Sequence, residues 1–203
     1  MARALGFRYL DTGAMYRALT WWFMSLGVDP GDTALVAARA AEPAIEVSTD
    51  PDDPWTRVNG HDVSREIRSP EVSAQVSMVA RVPQVRAQLI AQQRAIIAAA
   101  RPGVVAEGRD IGTVVARDAP LKVFLTADPE ARARRRAAEL SAAVDETVTA
   151  QARRDRLDAA QSEKAADALL LDASELTLAE VIDEITRLAR KVDSLACAGD
   201  KSM

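Results

Sequence analysis

The sequence predicts an α/β protein built on a parallel sheet. Short apolar runs of strand length alternate with helical segments along the chain, a pattern that lays strands side by side with helices on the sheet faces. Three polar clusters follow such runs: Asp11-Thr12-Gly13, Glu107-Gly108-Arg109-Asp110 and the residues after Thr126. Ligands of parallel sheets sit at the carboxyl ends of strands, where these clusters fall. With 203 residues and a hydrophobic share of 48%, the chain can bury one core, with a small inserted lobe.

Each element has a local signal. Residues 1–5 read as the end of a helix stopped by Gly6, and 7–10 as a strand. Residues 14–26 are helical, closed by Gly27 and the Pro30-Gly31 break, and 33–41 form a second short helix. Residues 44–48 and 56–60, on either side of a Pro-rich turn, read as short antiparallel strands of the inserted lobe. Helices follow over 70–80 and 83–100, the latter with Val82, Val85, Leu89 and Ile96 on one face. Residues 104–106 and 121–126 are strands. Asp128-Pro129-Glu130 then sets an Asp cap before a Pro at the first helical position. A helix over 145–157 and a last buried strand over 168–171 come next. Thr177-x-x-Glu180 is a capping box for a final helix whose apolar stripe is Leu178, Val181, Ile182, Ile185 and Leu188. Residues 193–203 read as a flexible tail.

Composition narrows the function. A net charge of −4 and a pI near 5.2 argue against a general nucleic-acid or membrane-surface binder. An aromatic share of 4% argues against base-stacking platforms. No apolar run approaches bilayer-spanning length and no charged-then-apolar leader opens the chain, so the expectation is a cytoplasmic protein. The single Cys197 cannot form an internal disulfide, and the lone His61 beside Asn59-Gly60 reads as a turn residue. No metal-ligand spacing is evident.

Four clusters could carry chemistry. If a helix opens after Thr12, its hydroxyl and the first backbone N–H groups make an anion seat, with Tyr16 and Arg17 one turn on. The plainer reading is a cap, a half-buried tyrosine and a solvated arginine. Arg109 and Asp110, at a strand end between glycines, could hold an anion and a polar base edge together, or simply form a local ion pair. Arg132, Arg135 and Arg136 share a helical face, and Arg153-Arg154-Asp155-Arg156-x-Asp158 follows. Solvated faces are the usual explanation of such runs, but four arginines and no lysine in residues 132–136 suit phosphates. Ser77 and Arg86, either side of Pro83, read by themselves as ordinary helix-surface residues.

Together these blocks resemble bacterial cytidylate kinases, nucleoside-monophosphate kinases that phosphorylate CMP with ATP. The resemblance runs from Ala2 to about Lys191. Its most specific pieces are residues 10–17 (Leu-Asp-Thr-Gly-Ala-Met-Tyr-Arg), the Val58-Asn59-Gly60 block through Arg68, Val82-Pro83-x-Val85-Arg86, residues 107–115, and Arg153-Arg154-Asp155-x-x-Asp158. It implies a P-loop-kinase-like three-layer fold, a parallel sheet with helices on both faces, as a single domain over residues 1–192. Within that domain it implies an NMP-binding insertion over about 28–100 and a lid region over about 128–164. CMP, dCMP and ATP are the implied ligands, with Mg²⁺ accompanying ATP, and a monomer is implied. By position, Thr12, Tyr16, Arg17 and Arg109 look like ligands of the CMP phosphate, and Ser77, Arg86 and Asp110 like readers of the cytosine edge. Arg154 and Asp158 look like residues facing the ribose. Arg132 and Arg135 look like lid arginines at the ATP phosphates, with Arg154 completing the catalytic set. A carboxylate at position 110 suits cytosine, whose exocyclic amino group uracil lacks.

Two departures shape what is expected. After Asp158 the family has a further arginine and a Ser-Pro-Leu-like segment, whereas here residues 159–164 read Ala-Ala-Gln-Ser-Glu-Lys, which puts one contact in doubt unless Lys164 substitutes. In the family a strand, a glycine-rich phosphate loop with its lysine and most of a helix precede the equivalent of Ala2, and no G-x-x-x-x-G-K-[ST] stretch occurs in this sequence. Residues 1–203 alone are therefore expected to show negligible kinase activity, because positioning and charge stabilisation of the donor phosphates supply nearly all the catalysis. The first strand is central in related folds, so its loss would leave two strands with unmade hydrogen bonds at about 1–3 kcal/mol each. Met1 is accordingly expected to be an interior helix position of a longer natural chain. The alternatives are a CMP-binding protein that transfers no phosphate, and a kinase of the same fold acting on another small substrate such as shikimate. The residues at positions 77, 86 and 110 argue against the second.

Overall fold

Asp11, not Thr12, starts the first long helix, and that local choice organises the strand ends. The computed structural model describes residues 1–140 and 162–199. In chain order its elements are α1 (Ala2–Leu5), β1 (Arg8–Asp11), α2 (Thr12–Ser25), α3 (Thr33–Arg39), β2 (Ile45–Val47), β3 (Thr56–Val58) and β4 (His61–Asp62). A 3₁₀ turn (Glu66–Arg68), α4 (Pro70–Val79), α5 (Pro83–Ala99), β5 (Val104–Glu107), a π-helical turn (Ile111–Val115) and β6 (Val123–Thr126) follow. The last elements are α6 (Pro129–Leu140), β7 (Leu169–Asp172) and α7 (Leu178–Gly199). The mixed α/β order with parallel strands agrees with the expected fold class. Chain contacts divide it into two compact units, residues 6–111 with Ala2, and Gly112 onward with Met1 and residues 3–5.

In the first unit β1 and β5 pair in parallel, Asp11 opposite Glu107, and the Tyr9 N–H on the other side of β1 donates to the Thr49 carbonyl at 2.9 Å. Asp11 keeps an extended backbone and its carboxylate accepts from the Ala14 N–H at 2.9 Å, the usual geometry of an N-cap. The anion seat predicted with Thr12 as cap is therefore corrected: Thr12 is the first helical residue. Gly27, at φ +68°, ends the helix as expected. β2, β3 and β4 form an antiparallel sheet, and Asn59 (φ 50°) with Gly60 (φ 80°) makes the two-residue turn that sets Val58 opposite His61. His61 is exposed. The lobe does not have a core of its own: Ile45, Val58, Val63 and Ile67 are buried in one cluster with Leu10, Met15, Leu19 and Phe23, and with Val79, Val85 and Leu89 of α4 and α5.

In the second unit β6 and β7 pair in parallel, Val123 opposite Leu169. The expectation of a buried last strand fails, because Leu169 is 48% and Leu170 63% exposed. Among the described residues the contacts of β7 are chiefly with β6. Among the described residues the parallel strands thus form two pairs, β1–β5 and β6–β7. Asp128 caps α6 through the Ala131 N–H at 2.7 Å. The Thr177/Glu180 capping box forms in both directions, at 2.8 and 3.3 Å, and Val181 is buried, while Leu178 stands exposed at the first helical position. α7 continues to Gly199, into the segment read as a tail.

Candidate functional site

The site grows from the paired ends of β1 and β5. Thr12 Oγ1 donates to the Glu107 carbonyl at 2.7 Å, tying the start of α2 to the end of β5. This is possible only because residue 108 is glycine, since a Cβ there would lie 2.2 Å from Thr12 Oγ1. The close approach explains the Gly-Arg-Asp sequence: Gly108 lets the chain pass α2, and Asp110 follows with only 7% exposure. Because its proton is committed to Glu107, Thr12 can offer a ligand only lone pairs unless that bond breaks.

The central feature is polar and half-buried. Arg86 of α5 and Asp110 form an ion pair through Nη2 and Oδ2. Tyr16 of α2 is buried close to both. Burial pushes its hydroxyl above the usual range, Asp110 adds to the shift, and Arg86 and the Gln93 amide oppose it. Ser77 is 2% exposed on α4, so the plain reading of Ser77 and Arg86 as surface residues is overturned. Arg17 reaches the same helix: its Nη1 donates to Ser73 Oγ at 2.7 Å and to the Ile67 carbonyl at 3.1 Å. Ser73 and Ser77 lie one turn apart on α4. Arg109 is exposed at the end of β5.

Beside this lies an acidic corner. Tyr9 Oη donates to Glu107 Oε1 at 2.7 Å, and Arg68 Nη2 approaches Asp11 Oδ2 at 3.2 Å. Burial pushes the Glu107 carboxyl above the usual carboxylate range, although the residue as a whole reaches solvent; the Tyr9 bond and Arg68 oppose that shift and Asp11 adds to it. Burial and Glu107 push the Tyr9 hydroxyl up strongly. Asp11 and Glu107 are the obvious candidates for Mg²⁺, but Asp11 already caps Ala14 and pairs with Arg68, and Glu107 accepts from Tyr9. Among the described residues no group of three or more His, Cys, Asp or Glu is placed to hold a metal. These residues do not build a Mg²⁺ site of their own.

The arginine-rich element belongs to the second unit. Arg135 Nη2 donates to the carbonyls of Ala173 and, at 2.8 Å, Leu176, so it clamps the loop after β7. Arg132 lies one turn earlier on α6 and is partly buried. Arg154 and Asp158, with the expected helix over 145–157, lie outside the described residues. Lys164, the suggested substitute, donates to the Ala165 and Ala168 carbonyls at 3.3 and 3.0 Å.

Three roles were not read from the sequence: the Asp11 cap, the Tyr9–Glu107 bond and the buried Gln93 amide. Asp11 as cap was legible in principle, since Asp precedes Thr at the strand end. The Tyr9–Glu107 bond depends on strand register, for which sequence carries no sign. Gln93 is a polar residue interrupting the apolar stripe of α5, and that interruption is a readable signal.

The chain is similar to known proteins over nearly its whole length. A family model described as cytidylate kinase matches residues 1–191. The chain is 47% identical over 196 residues to a cytidylate kinase of Streptomyces avermitilis, covering 94% of this chain and 85% of that protein. It is 48% identical over 193 residues to the Streptomyces griseus enzyme of the same name, covering 93% and 84%. With the Mycolicibacterium paratuberculosis cytidylate kinase the identity is 44% over 206 residues, covering 97% and 90%.

Proposed function

Because the chain belongs to the cytidylate kinase family, we propose that residues 6–111 hold its acceptor site, where Arg86 and Asp110 read cytosine and Tyr16, Arg17 and Arg109 take the CMP phosphate. The family is one of nucleoside-monophosphate kinases, for which ATP is the phosphoryl donor. The observation that carries the reading is the Arg86–Asp110 ion pair, with Tyr16 buried beside it.

The pair sets a donor and an acceptor side by side. Cytosine offers the complementary edge, with N3 accepting and the N4 amino group donating, whereas uracil reverses both and meets the carboxylate with a carbonyl. Ser77 on α4 completes the base-reading set. The phosphate falls to cations and a hydroxyl donor, and fork-shaped guanidinium groups suit its oxygens. Thr12 helps by holding α2 against β5 more than by donating a proton. Arg154 and Asp158 remain the candidates for the ribose, and dCMP is a second acceptor in this reading.

In transfer, a CMP phosphate oxygen attacks the γ-phosphorus of ATP and the β–γ bridging oxygen leaves with the electron pair. Arginines stabilise the charge that builds on the moving group. Arg132 and Arg135 are the donor-side candidates, and Arg135 must first release the carbonyls of Ala173 and Leu176. Mg²⁺ enters as the complex with ATP, as part of the substrate. The reading also includes a cytoplasmic monomer acting on free nucleotides; no helix among the described residues is long and apolar enough to cross a membrane.

Calorimetric titration with CMP, dCMP, UMP and AMP tests the assignment. CMP is expected to bind most tightly, and Asp110→Asn to erase most of the preference over UMP. Equal binding of CMP and UMP by the unaltered chain would refute the role of the pair. Titration with ATP measures donor binding separately from acceptor binding.

A further inference from the structure

The buried face of α5 carries an anomaly. Val82, Val85 and Leu89 are fully packed, and Ile96 is packed against the same core. Position 93, four residues after Leu89 and seven after Arg86, lies on that face and holds a glutamine with 0% exposure. Both its amide atoms, Oε1 and Nε2, lack a hydrogen-bond partner, and so does Tyr16 Oη beside it. A leucine or methionine would satisfy the packing without burying an unpaired amide, so folding alone gives no reason for glutamine. The Gln93 amide lies close enough to the Tyr16 hydroxyl to favour its ionised form, yet neither group meets a partner in full hydrogen-bond geometry.

We propose that Gln93 is a positioning residue for the acceptor phosphate, its Nε2 donating to Tyr16 Oη so that the Tyr16 hydroxyl proton turns onto a phosphate oxygen. The inference rests on the CMP site proposed above. A phenol oxygen accepts through its lone pairs and donates through one proton. With no ligand, the Asp110 carboxylate and Gln93 Oε1 are acceptors near that proton, and the amide can face either way. An anionic phosphate is the stronger acceptor, so its arrival selects the orientation in which Nε2 faces the phenol. The net upward shift of the Tyr16 hydroxyl, caused first by burial, keeps it a donor at neutral pH. Gln93 thus acts through Tyr16 and need not touch the nucleotide.

The test is calorimetric titration of the full chain with CMP and with cytidine, for the unaltered protein, Gln93→Met, Tyr16→Phe and the double variant. Gln93→Met is expected to weaken CMP about 5–30-fold, as one or two hydrogen bonds predict, and to leave cytidine within about twofold, an effect too small to count as one lost hydrogen bond. The double variant is expected to bind CMP no more weakly than Tyr16→Phe alone, because the amide works through the phenol. The melting temperature of Gln93→Met is expected to hold or rise, whereas a structural role would lower it. Gln93→Leu serves as the second apolar variant should methionine fail to pack. Unchanged CMP affinity, equal losses for CMP and cytidine, or additive losses in the double variant would each overturn the inference while leaving the acceptor site standing. Failure of the unaltered chain to bind CMP would overturn the acceptor-site reading and this inference with it.

Discussion

Thr12 Oγ1 donates to the main-chain carbonyl of Glu107 across 2.7 Å, so the first residue of α2 is joined to the last residue of β5. Thr12→Val keeps the shape and deletes the bond, leaving the carbonyl without its partner. A loss of about 1–3 kcal/mol is expected in urea denaturation. Gly108→Ala places a methyl carbon 2.2 Å from Thr12 Oγ1, and overpacking of this kind costs about 1–3 kcal/mol. Thr12→Ala in the Gly108→Ala background is expected to recover part of that loss, which a coupling measurement by denaturation would show.

Arg86→Met leaves the Asp110 carboxylate without its counter-ion. Removing one partner of a buried pair costs about 3–5 kcal/mol, and a value toward the lower end is expected because Arg86 retains 21% side-chain exposure. Arg86→Met/Asp110→Leu is expected to recover stability while CMP binding stays lost. That split, read from melting curves beside titrations, separates the structural from the recognition role of the pair.

Glu107 has a carboxyl raised above the usual range chiefly by burial. A raised folded-state value favours the protonated form, so its contribution is present at acid pH and is lost as pH rises through the folded-state value. Glu107→Gln keeps an acceptor for Tyr9 and removes the charge. The variant is therefore expected to be more stable than the parent at neutral pH, with the gap closing below the ordinary glutamate range. Melting temperatures measured from acid to neutral pH check this, and a gap that widened toward acid would contradict it.

Arg135→Met removes a charged donor from two loop carbonyls. Hydrogen bonds to charged groups contribute about 1.5–3 kcal/mol, so faster amide exchange is expected around residues 173–176. Arg135→Lys is expected to restore only part of the protection, because its ammonium ends one atom short of the Nη2 that meets both carbonyls.

Much of the fold was legible because its signals are local. Gly6, Gly27, Asn59-Gly60, Asp128-Pro129 and the Thr177/Glu180 box each act within a turn of the chain, and each falls where the structure ends or starts an element. The errors came where local signals competed or distant partners decided. Asp11 and Thr12 are both good caps, and the extended backbone at Asp11 settled the competition. The apolar run Leu169-Leu170-Leu171 reads as buried, yet burial depends on what packs over it, which no local pattern encodes. In the site, Ser77 and Arg86 looked like surface residues because their burial comes from α2 and the strand end at Asp110, far away in sequence. Arg135 stays a donor-side candidate, and nothing near it in sequence announces that it also holds the carbonyls of residues 173 and 176.

Every side chain assigned here to base or acceptor-phosphate recognition lies between Gly6 and Ile111, inside one compact unit. Nucleobase preference is then a property that can be inherited as a block. On this reading, drift in the later half of the chain can tune turnover and sugar preference without changing which base is chosen, and a change of preferred base calls for substitutions within that first stretch.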